Sequence, residues 1–348
     1  MTLLQRIAGL FAPATISKRV TDSDTARERA EFLLAGATFE SSKLLSEFPP
    51  QIEHAKKRLL FERSLAGGLS GRVTIERFCA FPLPDRYRPF APAIEILARE
   101  GHFQYVSCGV GDWFMNFAHH DLFSGYGHFM LAQDEVQVAE HPVLACIREM
   151  MLSRSDLLRP ISAEVRSPTP VLVRGAQRCM ELNTRAVYGA RFARSTEDTI
   201  RQSMAVITPP TLTNILAIEA PISSGNAIYT RGDIQLALDT AYSGFRAVVL
   251  NTISAPEGPE PITVNTGNWG CGAYGGNLQL MVSIQLMAAC LAGVSKIIFH
   301  CGENQTADIA KYRTSLATQF KFRPGVKVQD VLNRLVAAEF PWGKPDGN

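Results

Sequence analysis

With 348 residues, 46% of them apolar and 20% charged, the chain can bury a large core as one big domain or two ordinary ones, and nothing in it is compositionally disordered or fibrous. Its 35 Lys and Arg against 33 Asp and Glu leave a net charge of +2, and mean hydropathy is near zero, so no global field favours nucleic acid or an anionic membrane. Seven cysteines, an odd number, scattered and without a C-x-x-C pair, read as reduced thiols rather than a disulfide frame or a zinc site, which leads us to expect a cytoplasmic, reducing compartment.

From the N-terminus, one Arg precedes an apolar run of only five residues, too short for a usual signal-peptide core. No stretch approaches the roughly 18 uninterrupted apolar residues of a transmembrane helix, so no membrane partner is expected. Delivery of an effector into another cell by a specialised secretion system would leave no mark in these residues. Residues 24–62 carry helical patterning with mixed charges, in Ala26–Ala35 and Ile52–Leu60, and none of the chemistry found further on. Four prolines in residues 82–92 break any helix and suit a connector. A helical accessory region over residues 1–100 and a second domain over 101–348 are therefore expected.

After residue 100 the runs Tyr105–Val110, Met115–Ala118, Pro170–Val173, Asn214–Glu219, Ala247–Asn251, Ile262–Asn265 and Lys296–His300 read as short buried strands. Asp233–Ser243 and Leu278–Ala292 read as helices between them. This alternation predicts an α/β domain with a mostly parallel or mixed sheet covered on both faces.

Asp112 and Asn116 lie on the strand leading into an acidic segment and can orient a base or a ribose, though a structural role fits them equally. Five of the seven histidines (His102, His119, His120, His128, His141) fall within 40 residues but lack i, i+4 spacing and a cysteine pair, so no metal is expected. His141-Pro142 instead suits the start of a helix over Val143–Met151. Gln133-Asp134-Glu135 reads two ways. It is a solvated helix start, or it is a pair of carboxylates held among Phe129–Ala132, Val136 and Val138, where burial raises a pKa enough to make a proton donor. Tyr188 is either a core aromatic or a cleft residue. No G-x-S-x-G elbow is present.

The most informative segment is Thr266-Gly-Asn-Trp-Gly-Cys-Gly-Ala-Tyr-Gly-Gly276, between a strand-like run and a long apolar helix. Five glycines in these eleven residues let the backbone approach a ligand closely, and amides at the following helix start favour an anion. Gly270 to Gly275 also satisfies G-x-G-x-x-G. A Rossmann site, however, wants an acidic residue about 20 positions on, and none is there. A structural turn is the bland alternative, but a mere turn rarely needs five glycines together with Asn268 and Trp269, so a phosphate cradle is expected.

Thr266–Gly276, with Gln285 in the next helix, resembles the phosphate-binding signature of the poly(ADP-ribose) glycohydrolase family, whose catalytic domain is an enlarged macrodomain. Phe117-Ala118, followed at the family's spacing by Gln133-Asp134-Glu135, resembles its acidic signature. Weaker likeness runs through Ala217–Ala220, Leu238–Phe245 and Val328–Leu332, so that roughly residues 100–340 are covered. The resemblance implies a three-layer α/β/α domain with a mixed sheet and an ADP-ribosyl hydrolase acting on ADP-ribosylated protein without a cofactor. It implies that Glu135 holds a ribose hydroxyl and moves a proton, with Asp134 as partner and Asp121 as a third carboxylate. Substrate contacts would come from Gln133, Asn268, Trp269, Gly270, Cys271, Gly272, Ala273, Tyr274, Gly275 and Gly276.

The chain departs from the family where three consecutive glycines align with Phe123-Ser124-Gly125, which predicts a bulkier loop. It departs again at His119, where the family has asparagine, and around His300 and Cys301, where an aromatic is replaced. These departures favour release of a single ADP-ribose from a side chain, arginine first, as in bacterial relatives with an aspartate-bearing loop. A non-catalytic ADP-ribose reader and a chain-cleaving glycohydrolase are the alternatives.

Overall fold

The computed structural model describes residues 22–88, 93–105, 109–156, 158–165, 167–223, 225–255 and 260–345. In chain order the first part holds α1 (Asp22–Phe32), β1 (Leu33–Glu40), α2 (Ser41–Glu47), α3 (Ala55–Ser64), β2 (Arg72–Phe78), β3 (Glu95–Glu100) and β4 (Asp112–Ala118). A 3-10 turn (Ser124–Gly127), α4 (Gln133–Glu140), α5 (Val143–Ser153), the short pair β5 (Ala163–Glu164) and β6 (Ser167–Pro168), and β7 (Val171–Leu182) follow. Then come α6 (Thr184–Val187), α7 (Ala190–Arg194), α8 (Glu197–Gln202), β8 (Met204–Glu219), α9 (Arg231–Ile253), β9 (Thr263–Gly267), α10 (Leu278–Ala292), β10 (Lys296–Cys301), α11 (Thr306–Thr318) and α12 (Val328–Ala337).

One eight-stranded sheet runs in the order β1-β2-β7-β8-β4-β9-β10-β3. Strands β8, β4, β9, β10 and β3 are mutually parallel, while β7, β2 and β1 join antiparallel at one flank. Side-chain alternation along each strand feeds two cores. Leu216 and Ile218 of β8 enter a cluster with α9 and α10, whereas Ile215 and Ala217 enter one with α2 to α5 on the opposite face. The result is the three-layer α/β/α arrangement with a mixed sheet.

Residues 22–100 are not a separate helical region, and no boundary lies near residue 100. Three strands of the sheet come from there, because Leu33–Glu40 alternates half-buried and exposed positions and pairs with β2, while β3 docks in parallel on β10. Ala247–Asn251 is not a strand either. Thr230 and Asp233 form a capping box that starts α9, and the apolar run continues as its buried last turns through Ile253. Such short runs have no period of their own to separate strand from buried helix. Of Tyr105–Val110, residues 106–108 lie outside the described residues, and the described remainder is not strand; residues 89–92 of the proline-rich connector likewise lie outside them. The helix Leu278–Ala292 matches its expected bounds. No helix among the described residues is long and apolar enough to cross a membrane.

Candidate active site

The site arises where two neighbouring strands part. Strand β4 pairs with β8 through Ala118 but with β9 only over Asp112–Phe114. On the freed side, the Gln133 amide takes the place of a strand: its Oε1 accepts from Phe117 N at 2.7 Å and its Nε2 donates to Met115 O at 3.1 Å. Beyond this splay, the carboxyl ends of β3, β4, β8, β9 and β10 open into one cleft of about 1680 Å³. That edge is where parallel α/β sheets bind ligands, because helix and loop starts converge there and the chain order reverses about β4.

One wall carries the acids. At the start of α4, Asp134 and Glu135 line the cleft yet are largely buried. Asp134 Oδ1 accepts from Asn116 Nδ2 at 2.9 Å, and Glu135 Oε2 accepts from Ala132 N at 2.8 Å, capping the helix. Burial, then the adjacent Glu135 charge, raise the Asp134 pKa to about 7 against the opposing pull of Asn116, Lys57 and Arg148. Gly125 closes over the pair. A Cβ there would stand 2.1 Å from Glu135 Oε1, so the turn can lie against the carboxylate only because this residue has no side chain.

The facing wall is the glycine loop. The amides of Trp269, Cys271, Gly275 and Gly276 bond to carbonyls inside the loop or just before it. Those of Gly272, Ala273 and Tyr274 reach no acceptor among the described residues and lie on the cleft wall. Three successive N–H groups of this kind form an anion-binding concavity. Gly270, at φ +75°, makes the turn, with Ala220 Cβ only 2.6 Å from where its own Cβ would be. Tyr274 joins the two walls electrostatically: burial, and then the negative field of Glu219, Asp134 and Glu135, hold its proton more tightly than usual. The acids and the loop thus face one space.

Several expected site residues have other duties. Asp121 is not a third carboxylate of the cleft: it forms a two-pronged ion pair with Arg148, at 2.8 and 3.0 Å, and does not line the cavity. Gln133 spends its amide on β4, as above. Trp269 is fully buried, its indole N–H donating to Ile218 O at 3.2 Å, so it fastens the loop to β8. Gly275 and Gly276 sit beneath the loop against Gly343 and Gly270, away from the cleft, and Asn277 caps Leu280, so the amides turned to the cavity belong to the loop and not to the start of α10. The bulk of Phe123 does not narrow the loop. Its ring is fully buried in the core on that face of the sheet, leaving Ser124 and Gly125 on the wall. Asn268, Gly270 and Cys271 do line the cleft; Asn268 Nδ2 donates to Gln305 Oε1 at 2.9 Å, and its Oδ1 is buried without a donor among the described residues.

The cleft also holds Phe103, Arg185 and Arg191, which sequence reasoning did not single out, beside His102, Tyr188 and His300, which it did. At the β3 end, Phe103 stands edge-on to His300 at 5.1 Å and to Phe117 at 6.2 Å, and His102 packs on Tyr188 at 5.0 Å. These rings meet edge-on or tilted and give this end of the cleft an aromatic lining. His300 is kept neutral by burial, its pKa lowered to about 4. Arg185 and Arg191 of α6 and α7 form a basic rim. Lys57 of α3 lies fully buried behind the acids, donating to Tyr126 O at 3.2 Å and Gly125 O at 3.4 Å. A signal for it exists, since Lys57 shares the buried face of α3 with Leu60, Phe61 and Ser64 at i, i+3, i+4 and i+7. Among the described residues, no group of three or more His, Cys, Asp or Glu side chains is placed to hold a metal ion.

A mixed α/β/α sheet whose carboxyl edge sets unpaired loop amides opposite two adjacent, largely buried carboxylates, of which Asp134 has a raised pKa, defines a macrodomain-like hydrolase. The family model for poly(ADP-ribose) glycohydrolase (PARG), macro domain fold, matches residues 115–308. The chain therefore belongs to that glycohydrolase family and is an enzyme of the glycosidase class. Among solved structures it is similar to poly(ADP-ribose) glycohydrolase from Thermomonospora curvata, with 13% identity over 90% of this chain and 95% of that one and a TM-score of 0.40. It is also similar to the Deinococcus radiodurans enzyme in complex with ADP-ribose, with 10% identity over 83% and 96% and a TM-score of 0.41.

Proposed function

We propose that this chain hydrolyses the glycosidic bond between the distal ribose of ADP-ribose and a protein side chain, releasing a single ADP-ribose, with arginine as the acceptor. The observation that carries the reading is the set of free N–H groups of Gly272 to Tyr274 facing Asp134 and Glu135 across one cleft. A pyrophosphate held by those amides puts the attached sugar beside the acids, and the aromatic surface at Phe103 and Tyr188 suits the adenine. The matched family and the ADP-ribose bound to the D. radiodurans enzyme support the same ligand.

In the reaction, the bond from ribose C1 to the side-chain nitrogen breaks with its electron pair leaving on nitrogen, and positive charge develops on the ring. Glu135 accepts a hydrogen bond from a ribose hydroxyl and handles the proton transferred to the leaving group. Water then bonds C1 and gives up a proton to the carboxylate. Asp134, whose proton is retained toward neutrality, keeps one proton in the pair at working pH. A guanidinium leaving group suits the two carboxylates, Asp134 and Glu135, that line this part of the cleft. Ser124 in place of glycine on the wall, with His119 beside it, favours a single ADP-ribose over a polymer. No cofactor enters this chemistry, and we place it in a reducing, cytoplasmic compartment.

The test is release of free ADP-ribose, read by mass spectrometry, from arginine-, serine-, glutamate- and threonine-linked proteins and from the polymer. Turnover of the arginine-linked protein alone supports the reading. Tight binding of ADP-ribose with no turnover on any substrate would make the chain a reader.

A further inference from the structure

The residues expected to be accessory reach the centre of the site. Gln51 N donates to Tyr126 OH at 2.6 Å, His54 N donates to Gly127 O at 3.0 Å, and a Cβ on Gly127 would stand 2.8 Å from Gln51 O. Two turns of chain thus press together with no room for a side chain. Lys57 completes the clamp from inside. Its side chain is 0% exposed, its ammonium donates to the carbonyls of Gly125 and Tyr126, and the Phe192 ring lies 5.8 Å away. Gly125 is therefore gripped on both sides, by Lys57 through its carbonyl and by Glu135 Oε1 against its Cα.

An unpaired ammonium buried this deeply is costly, and a structural role alone is met more cheaply by methionine. Two carbonyls supply hydrogen bonds but no charge. The charges that offset its burial are those of Glu135 and Asp134. We propose that Lys57 is a positioning residue for the Asp134–Glu135 pair: it fixes the Ser124–Gly127 turn against Glu135 and serves as the buried counter-charge of both acids. The kinetic part of this inference rests on the hydrolase reading above, whereas the electrostatic part does not.

The groups that face one another here are few. Asp134 faces Glu135, Asn116, Lys57 and Arg148, the last already paired with Asp121. Lys57 faces both acids, with Lys56 and His54 on its own segment and Tyr126, bonded to Glu149 at 2.6 Å, on the turn. Burial lowers the Lys57 pKa to about 8 against the pull of Glu135 and Asp134, so near neutrality most of the population is charged.

Lys57→Met keeps the stem and removes the charge. For the released ADP-ribose, kcat is expected to fall at least about tenfold, as for loss of a tuned proton donor. The acid limb of the kcat profile should move up by about one pH unit, because losing a cation raises a carboxylate pKa. Affinity for free ADP-ribose, which the loop amides hold, should stay within about twofold. Wild-type kcat and an unmoved limb in a folded Lys57→Met protein overturn the proposal.

If the wild type binds ADP-ribose but never turns over, the hydrolase reading has failed and the carboxyl carbon-13 titration of Asp134 decides instead. An upward shift in Lys57→Met supports the counter-charge, and an identical curve overturns it. If Lys57→Met does not fold, the ε-methylene titration of Lys57 is compared between wild type and Asp134→Asn. Linkage requires Lys57 to deprotonate at lower pH in the Asn protein, and coincident curves overturn the proposal.

Discussion

The two walls of the cleft recognise by different means. The glycine loop, from Gly267 to Tyr274, presents backbone, and it asks of side chains mainly that several be absent, that Trp269 be buried to fasten it and that Asn268 bond Gln305. The acidic wall presents side chains, and every one of them depends on something distant: Asp134 on Asn116 of β4, Glu135 on the Gly125 turn, and that turn on Lys57 from α3. A backbone cradle is local and tolerant of what surrounds it. A tuned carboxylate pair is a property of the assembled domain.

Substitutions on each wall should therefore separate binding from chemistry, and the largest effect belongs to the acids. Glu135→Gln is expected to lower kcat by about 10²- to 10⁴-fold while leaving ADP-ribose affinity near wild type, read by product release and calorimetry. Retained turnover would remove Glu135 from the mechanism. Gly270→Ala attacks the other wall, where φ is +75° and the new Cβ meets Ala220 at 2.6 Å. The strain, about 1–3 kcal/mol, should weaken ADP-ribose affinity about tenfold and lower the thermal midpoint. Unchanged affinity would mean that the loop is not the grip.

Asp134→Asn sharpens the electrostatic half of the comparison through stability. A folded pKa near 7 lies above the ordinary aspartate value, so ionising Asp134 disfavours the fold. The cost is absent below about pH 4, grows as pH rises, and is complete above about pH 7. The Asn protein escapes it, so its stability advantage over wild type should widen from pH 5 to pH 8, by on the order of 2 kcal/mol. A constant gap across that range, in denaturant unfolding, would contradict a raised pKa. The smallest effect is expected at Asp121, which the structure removes from the cleft. Asp121→Asn should leave kcat within about twofold and cost about 1 kcal/mol or less, since the ion pair with Arg148 is half exposed on the acid's side. A hundredfold loss of turnover, measured against a folded control, would return Asp121 to the site.

Legible in the amino-acid order are the α/β class, the helix Leu278–Ala292, the strands at Met115–Ala118, Ile262–Asn265 and Lys296–His300, and the presence of a glycine-built loop beside an acidic segment. These are properties of neighbouring residues, where period, apolar runs and the missing Cβ of glycine leave a direct trace. Tertiary structure alone decided that residues 22–100 complete the sheet, that Ala247–Asn251 extends a helix, and that Asp121, Gln133, Trp269, Gly275 and Gly276 support the cleft rather than line it with free groups. It also decided that a lysine from α3 lies under the acids. Which partner a polar group meets, and how much water it loses in doing so, depends on contacts between residues far apart in the chain, and no local pattern carries that information.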